Sequence, residues 1–243
     1  MTQPLYMKDN YLQEFDAVIT AITEKGVILD RSAFYPESGG QSGDKGKLLT
    51  TSKEYEVKTT KKRNGMVEHR VDTLEDLEVG AKIHGILDWS WRYECMRFHT
   101  CQHILSRYLQ LNYDLVTVGN MIKPGESRAD YSPLNDFPDD MKAKVEAGVN
   151  EILSHDLDVV TKFMPRETAI SYLREKGYQT RYLEMVPKHV KEFRVLLIGD
   201  YDAASCAGTH VKNTSEIGHI KLNKNKNVGA NKQRIYFSLL ESM

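Results

Sequence analysis

Two pairs of side chains in this sequence have the types and spacing to hold a metal ion. His99 and His103 stand four apart in FHTCQHIL, so on a helix both rings leave one face, about 6 Å apart, and converge on one point. Cys206 and His210 follow in SCAGTH, where small residues separate a soft thiolate from an imidazole. Both donor types suit zinc, and a site assembled from two distant pairs by tertiary folding is expected, with zinc as the cofactor. Thr100, Gln102 and Thr209 flank the four ligands as polar candidates for catalytic work at the ion. Four bound ligands close the shell and make the ion structural, whereas one loose ligand opens a position for water or a substrate amine; the sequence fits both.

Cys95 shares the helical face of His99, but eight residues of rise put it about 12 Å from His103, too far to share an ion. Cys101 points off that face, and both read as small packed thiols. His155, His189 and His219 have no partner at ligand spacing and read as structural or surface residues.

The histidine pair needs a helix to position it. From Trp91 to Leu111, Met96, His99, His103, Leu105 and Leu109 recur at helical spacing with no Pro or Gly between. Ahead of it, from Phe15 to Asp88, the runs AVITAI, GVILD, YEVKTT and MVEHRV, broken by Gly, Asp, Lys and Asn, predict a small β-domain. The segment SGGQSGDKG, Ser38 to Gly46, is too rich in glycine for a strand and predicts a tight exposed loop. Beyond the helix, VTVGNMI and RADYS joined through Pro124-Gly125 predict a hairpin, and Asp136 to His155 a second helix opened by acidic residues and Pro138. A shorter helix over Arg166 to Lys176 and strands at VLLIGDY, GHIKL and RIYFSLL complete an antiparallel sheet backed by helices. The fold class is α+β, divided near residue 90 into 1–90 and 91–243.

Three cysteines in 243 residues form no disulfide framework and suit a reducing compartment. With a polar N-terminus and no apolar run of bilayer length, the chain reads as a cytoplasmic protein with no membrane partner. The net charge of −1 hides two basic runs. Lys61, Lys62 and Arg63 read as a solvated loop. Lys221, Lys224, Lys226, Lys232 and Arg234 are interleaved with Asn and Gly, which permit close approach to a phosphate backbone.

FHTCQHIL and SCAGTHV, together with SAFYPESGGQSGDKG and NVGANKQRIYFSL, resemble in order the motifs of the free-standing alanyl-tRNA editing proteins, AlaX, and of the editing domain of alanyl-tRNA synthetase. Cys101 stands where the family usually has Ala, and Ser32 where it usually has Thr. The resemblance implies a small N-terminal β-barrel, an α+β editing domain, and hydrolysis of the ester joining a wrong amino acid, serine or glycine, to alanine tRNA. The Gly-rich N-terminal domain without a long C-terminal extension looks like the medium-length class.

On that reading Ser32 and Gln41 meet the substrate hydroxyl or the terminal adenosine, because a site built to hydrogen-bond a hydroxyl penalises the analogue lacking it. RNA contacts fall to Lys224, Lys226, Lys232 and Arg234, with Asn227 and Asn231 bonding sugar or phosphate. The competing readings are a non-catalytic zinc-stabilised RNA-binding module and a zinc hydrolase of a small ester or amide.

Overall fold

In the runs EFDAVITAI, EYEVKTTKKR and KIHGIL buried and more exposed side chains alternate, which gives each strand one face for a core, while GVIL is buried throughout. The computed structural model describes residues 2–240 apart from 179, 181, 182, 184, 185, 187 and 189, so His189 lies outside the described residues. Strand β1 (Gln3–Pro4) lies parallel to β4 (Arg31–Ser32). Strands β2 (Glu14–Ile22), β3 (Gly26–Leu29), β5 (Gly46–Leu49), β6 (Glu54–Arg63), β7 (Met66–Val71) and β8 (Lys82–Leu87) close into an antiparallel barrel in the order β2-β3-β7-β6-β5-β8. Its interior is filled by Phe15, Ile19, Leu29, Phe34, Leu48 and Tyr55, among others. The barrel is the one the family resemblance implies.

Two expectations about this region are corrected. The Gly-rich segment is not an exposed loop: Gln41, Gly43 and Asp44 are buried and Gly39 alone of Ser38 to Gly46 is exposed. A side chain at Gly43 would strike the carbonyl oxygen of Thr60 at 2.1 Å, so glycine here serves close packing against β6. Lys61, Lys62 and Arg63 end strand β6 and are not a loop.

Helix α1 (Trp89–Tyr113) starts where the Asp88 carboxylate accepts from the Trp91 N–H at 3.1 Å, and stops at Asp114, whose φ of 53° is left-handed. It exceeds the predicted helix by about two residues at each end, as frayed helix ends do. Helices α2 (Asp139–Leu153) and α3 (Arg166–Glu175) fall within the predicted spans. Hairpin β9 (Val116–Met121) and β10 (Ser127–Ser132) forms as expected.

The remaining strands split into two sheets where one was expected. β11 (Val159–Pro165), β12 (Glu192–Ile198) and β13 (Asp202–Ser205) form a three-stranded sheet under α3. β14 (His219–Asn227) and β15 (Gln233–Leu240) join the hairpin in a four-stranded sheet ordered β14-β15-β10-β9, with α1 and α2 packed on its inner face. VLLIGDY belongs to the first sheet because β12 pairs with β11 and β13. No helix among the described residues is long and apolar enough to cross a membrane.

Candidate metal centre and cleft

The buried face of α1 places His99 and His103 one turn apart, with ring centroids 5.3 Å from each other. The chain leaving β13 brings Cys206 and His210 against them, and the donor atoms of His99, His103, Cys206 and His210 all lie within 4.8 Å of one another. Cys206 Sγ is 3.7 Å from His99 Nε2 and 3.3 Å from His210 Nε2. A tetrahedron of zinc ligands has edges of roughly 3.3–3.7 Å, so the four donors fit such an ion with small adjustment.

Each imidazole is turned by a partner on its other nitrogen. His99 Nδ1 donates to Gln41 Oε1 at 2.8 Å, His210 Nδ1 to Thr100 Oγ1 at 3.2 Å, and His103 Nδ1 lies 3.5 Å from an Asp202 carboxylate oxygen. Thr100 Oγ1 donates to the Met96 carbonyl at 2.9 Å, which leaves its lone pairs to accept from His210 and from the Val211 N–H at 3.3 Å. With Nδ1 so engaged, each ring turns its Nε2 toward the shared centre, and a partner on the far nitrogen is the arrangement that raises ligand basicity in metal sites.

The loop carrying Cys206 and His210 is held from below. Arg194 Nη1 donates to the carbonyls of Cys206 and Gly208 at 2.9 and 2.8 Å, and its Nη2 reaches Asn10 Oδ1 at 3.2 Å, which also accepts from the His210 N–H at 2.9 Å. A Cβ at Gly208 would sit 2.2 Å from His99 Cε1, so the loop approaches α1 only because that residue has no side chain.

Charge in the cluster follows from this geometry. Burial opposes a Cys206 thiolate, yet His99, His210 and His103 hold the thiol well below its ordinary value. Burial likewise opposes protonation of His103, but Asp202 and Cys206 outweigh it and raise His103 to about 10. His210, with no carboxylate partner, is pushed by burial down to about 3. The cluster thus offers a thiolate and a neutral His210, while His103 holds a proton that metal ligation would release.

A cleft of about 480 Å³ opens over the cluster, walled by α1, β9, β13 and the Gly-rich segment. Gln102 lines it, with Nε2 donating to Ser106 Oγ at 2.6 Å; Thr117 Oγ1 donates to the same oxygen at 2.8 Å, making a hydroxyl-rich wall. Thr100 and Thr209 do not line it. Thr209 Oγ1 instead accepts from Gln41 Nε2 at 2.8 Å.

Ser32 and Gln41, expected at the substrate, are buried and do not line the cleft. Ser32 is fully buried beside the barrel core, its Oγ 2.7 Å from His69 Nε2 and accepting from the Phe34 N–H at 3.0 Å. Gln41 is fully buried, with its amide bonded to His99 and Thr209. Asp202, Asn10 and Arg194 escaped the sequence reading. Arg194 alone left a signal there, as a lone charge inside the apolar run of β12.

The residues assigned to RNA lie on the β14-β15 hairpin, across the sheet from the cleft. The register aligns Lys226 with Arg234, Arg234 with Asp130, and Asp130 with Gly119 of the cleft wall. Arg234 Nε and Nη2 donate to Asp130 at 2.7 and 2.9 Å, holding that carboxyl below its ordinary range, so Arg234 faces solvent with its charge largely matched. Lys226 is exposed, and Lys224 is exposed over the Tyr236 ring at 4.7 Å with Glu126 3.9 Å away. Lys232 is half-buried, Asn227 Oδ1 accepts from the Gly229 N–H at 3.0 Å, and the Asn231 carbonyl accepts from the Leu134 N–H at 2.8 Å, so both asparagines shape the turn.

Residues 6–91 match the family of class II (A) tRNA synthetases, and residues 193–236 match the second additional domain of threonyl and alanyl tRNA synthetases. The chain is 36% identical over 249 residues to the alanyl-tRNA editing protein AlaX-M of Methanosarcina mazei, covering 99% of this chain and 98% of that protein. It is 37% identical over 246 residues to AlaX-L of Pyrococcus horikoshii, covering 58% of it, and 32% identical over 244 residues to an alanine–tRNA ligase of Thermococcus kodakarensis, covering 26% of it. Barrel, helix-backed sheet and cleft therefore define an aminoacyl-tRNA hydrolase of the editing class. Within that class the chain belongs to the AlaX-M family of alanyl-tRNA editing proteins.

Proposed function

We propose that this protein deacylates alanine tRNA mischarged with serine, and with glycine, at a zinc centre held by His99, His103, Cys206 and His210. The observation that carries the reading is the convergence of three oriented Nε2 atoms and one thiolate on the floor of a cleft, with no second cluster of this kind among the described residues. A zinc ion held there supplies Lewis acidity next to the ester.

The chain's own groups do the rest. Gln41, Thr100 and Asp202 fix the ligand rings, and the wall of Gln102, Ser106 and Thr117 offers hydrogen bonds to a β-hydroxyl, a preference that leaves alanine with unpaired wall groups. Residues 1–90 act as the barrel half and 91–243 as the catalytic half. Lys224 and Lys226 on the open face of the four-stranded sheet take phosphates, with Arg234 and Lys232 beside them and Asn227 and Asn231 on the turn. A cleft over the ligand cluster favours catalysis over a purely structural ion. Incubation with serine-, glycine- and alanine-charged alanine tRNA, with and without a chelator, tests this: chelator-sensitive release of serine but not alanine is expected, and release of alanine at the same rate overturns it.

A further inference from the structure

The cleft carries two cations whose charge no carboxylate of the described residues matches. Lys62, at the end of β6, is exposed at its rim and has no carboxylate partner among the described residues, while its neighbours Lys61 and Arg63 are paired with Glu37 and Glu68. Arg107, on α1, donates from Nε to the Tyr201 carbonyl at 3.3 Å and from Nη1 to Gln110 Oε1 and the Gly177 carbonyl, both at 3.0 Å. Its guanidinium also lies over the Tyr178 ring at 4.7 Å. Every one of these partners is neutral: they fix the guanidinium and leave its charge whole, with no bond from Nη2 among the described residues. Asp202 is the one carboxylate among the described lining residues, and it is turned to His103.

Position along the helix gives the ligand. His99, His103 and Arg107 follow one another at four-residue steps, so Arg107 lies about 6 Å beyond His103 on the same face. A substrate whose ester sits at the cluster therefore presents to Arg107 whatever lies one sugar away. In an aminoacylated RNA end that group is the phosphodiester on the 5′ side of the terminal nucleoside, a match for a fixed guanidinium and a mobile ammonium. A small ester or amide has nothing anionic there.

We infer that Lys62 and Arg107, contributed by the barrel half and the catalytic half, form a clamp for the terminal phosphodiester of the RNA substrate; this rests on the proposed function. The clamp is a positioning device: it binds the phosphate and so registers the ester over the cluster, and it closes only when both halves are present.

The test uses the zinc-loaded full chain and two probes that need no hydrolysis, the dinucleotide cytidylyl-3′,5′-adenosine and adenosine, by calorimetry. The protein should bind the dinucleotide at least tenfold more tightly, and Lys62→Gln and Arg107→Gln should each cut that preference to within about threefold, with Arg107→Lys retaining part of it. Raising salt should weaken only the dinucleotide. In deacylation, the ratio of kcat/KM for seryl-tRNA to that for 3′-O-seryladenosine should fall about tenfold in both Gln variants, with zinc content held equal. No preference for the dinucleotide, a preference surviving both substitutions, or equal losses on both probes would overturn the clamp. A dinucleotide preference without deacylation leaves the clamp standing and removes the proposed function instead.

Discussion

Gln41 Oε1 accepts from His99 Nδ1 at 2.8 Å and from the Thr209 N–H at 3.0 Å, joining the Gly-rich segment of the barrel half to a ligand on α1. The carbonyl thus selects the His99 tautomer with Nε2 toward the cluster. Gln41→Ala should weaken zinc binding about 10–100-fold, the usual effect of losing such a partner. Competition with a chromophoric chelator measures it, and unaltered affinity would show that packing alone orients His99.

Gly208 sets the distance between the second ligand pair and the first. In Gly208→Ala the new methyl would meet His99 Cε1 at 2.2 Å and Nδ1 at 2.4 Å, both parts of a ring fixed by Gln41. The His99 ring or the loop must move, so zinc affinity should drop at least tenfold, with stability lowered by about 1–3 kcal/mol, the ordinary cost of overpacking. Metal content after dialysis, set beside the urea midpoint of the chelator-treated protein, separates the two effects.

The His99, His103, Cys206 and His210 cluster was legible because each pair is written in local spacing: His99 and His103 share a helical face whatever surrounds them. What holds the ligands was not. Gln41 and Asp202 are far from their histidines in sequence, and only the folded chain pairs them. The glycines of Ser38 to Gly46 announced a turn correctly, but composition cannot say whether a turn faces water or, as here, packs against β6 and α1. Strand existence at VLLIGDY and RIYFSLL was likewise readable from β-formers, while their separation into two sheets depends on pairing partners that periodicity does not name. Strand β11 was missed because its side chains are mostly solvent-facing, Val160 and Phe163 included, so no alternation betrays it.

Arg92 and Asp44 are both fully buried and tie α1 to the Gly-rich segment. Arg92 Nε lies 3.0 and 2.9 Å from the two Asp44 oxygens, Nη2 bonds the same carboxylate, and Nη1 donates to the Asn10 carbonyl at 2.9 Å. Asp44→Ala strands a buried guanidinium and should destabilise the protein by about 3–5 kcal/mol in chemical denaturation. Asp44→Leu combined with Arg92→Met should recover part of that loss, since no charge remains unmatched.

Lys224 and Lys226 stand exposed on the four-stranded sheet, in reach of a nucleic-acid backbone. Neutralising both to Gln should lower the affinity for alanine tRNA and reduce the slope of log affinity against log salt by about 1–2, since each phosphate left without its lysine keeps its counterion. The same substitution at Arg234 should change the slope less, because Asp130 already matches its charge. Filter binding across a salt series reads all three, and slopes identical to that of the natural chain would place the RNA elsewhere.

His69 supplies an acid limb to stability that is separate from the metal centre. Its ring is fully buried between Ser32 Oγ at 2.7 Å and the Val27 carbonyl at 3.3 Å, edge-on to Phe34, and burial pushes it down from 6.5 to about 4. The unfolded chain takes up its proton near pH 6.5 while the folded chain refuses it until about pH 4, so stability is whole above 6.5, falls between 6.5 and 4, and levels off below. At pH 4.5 this one group should cost about 2–3 kcal/mol relative to pH 7. His69→Gln fills much of the same volume, can still bond Ser32, and has no proton to gain. In chelator-treated proteins, where protonation of the zinc ligands affects both alike, the loss from pH 7 to 4.5 should be smaller in the variant by that amount. An equal loss in both would mean that the acid limb arises from groups other than His69.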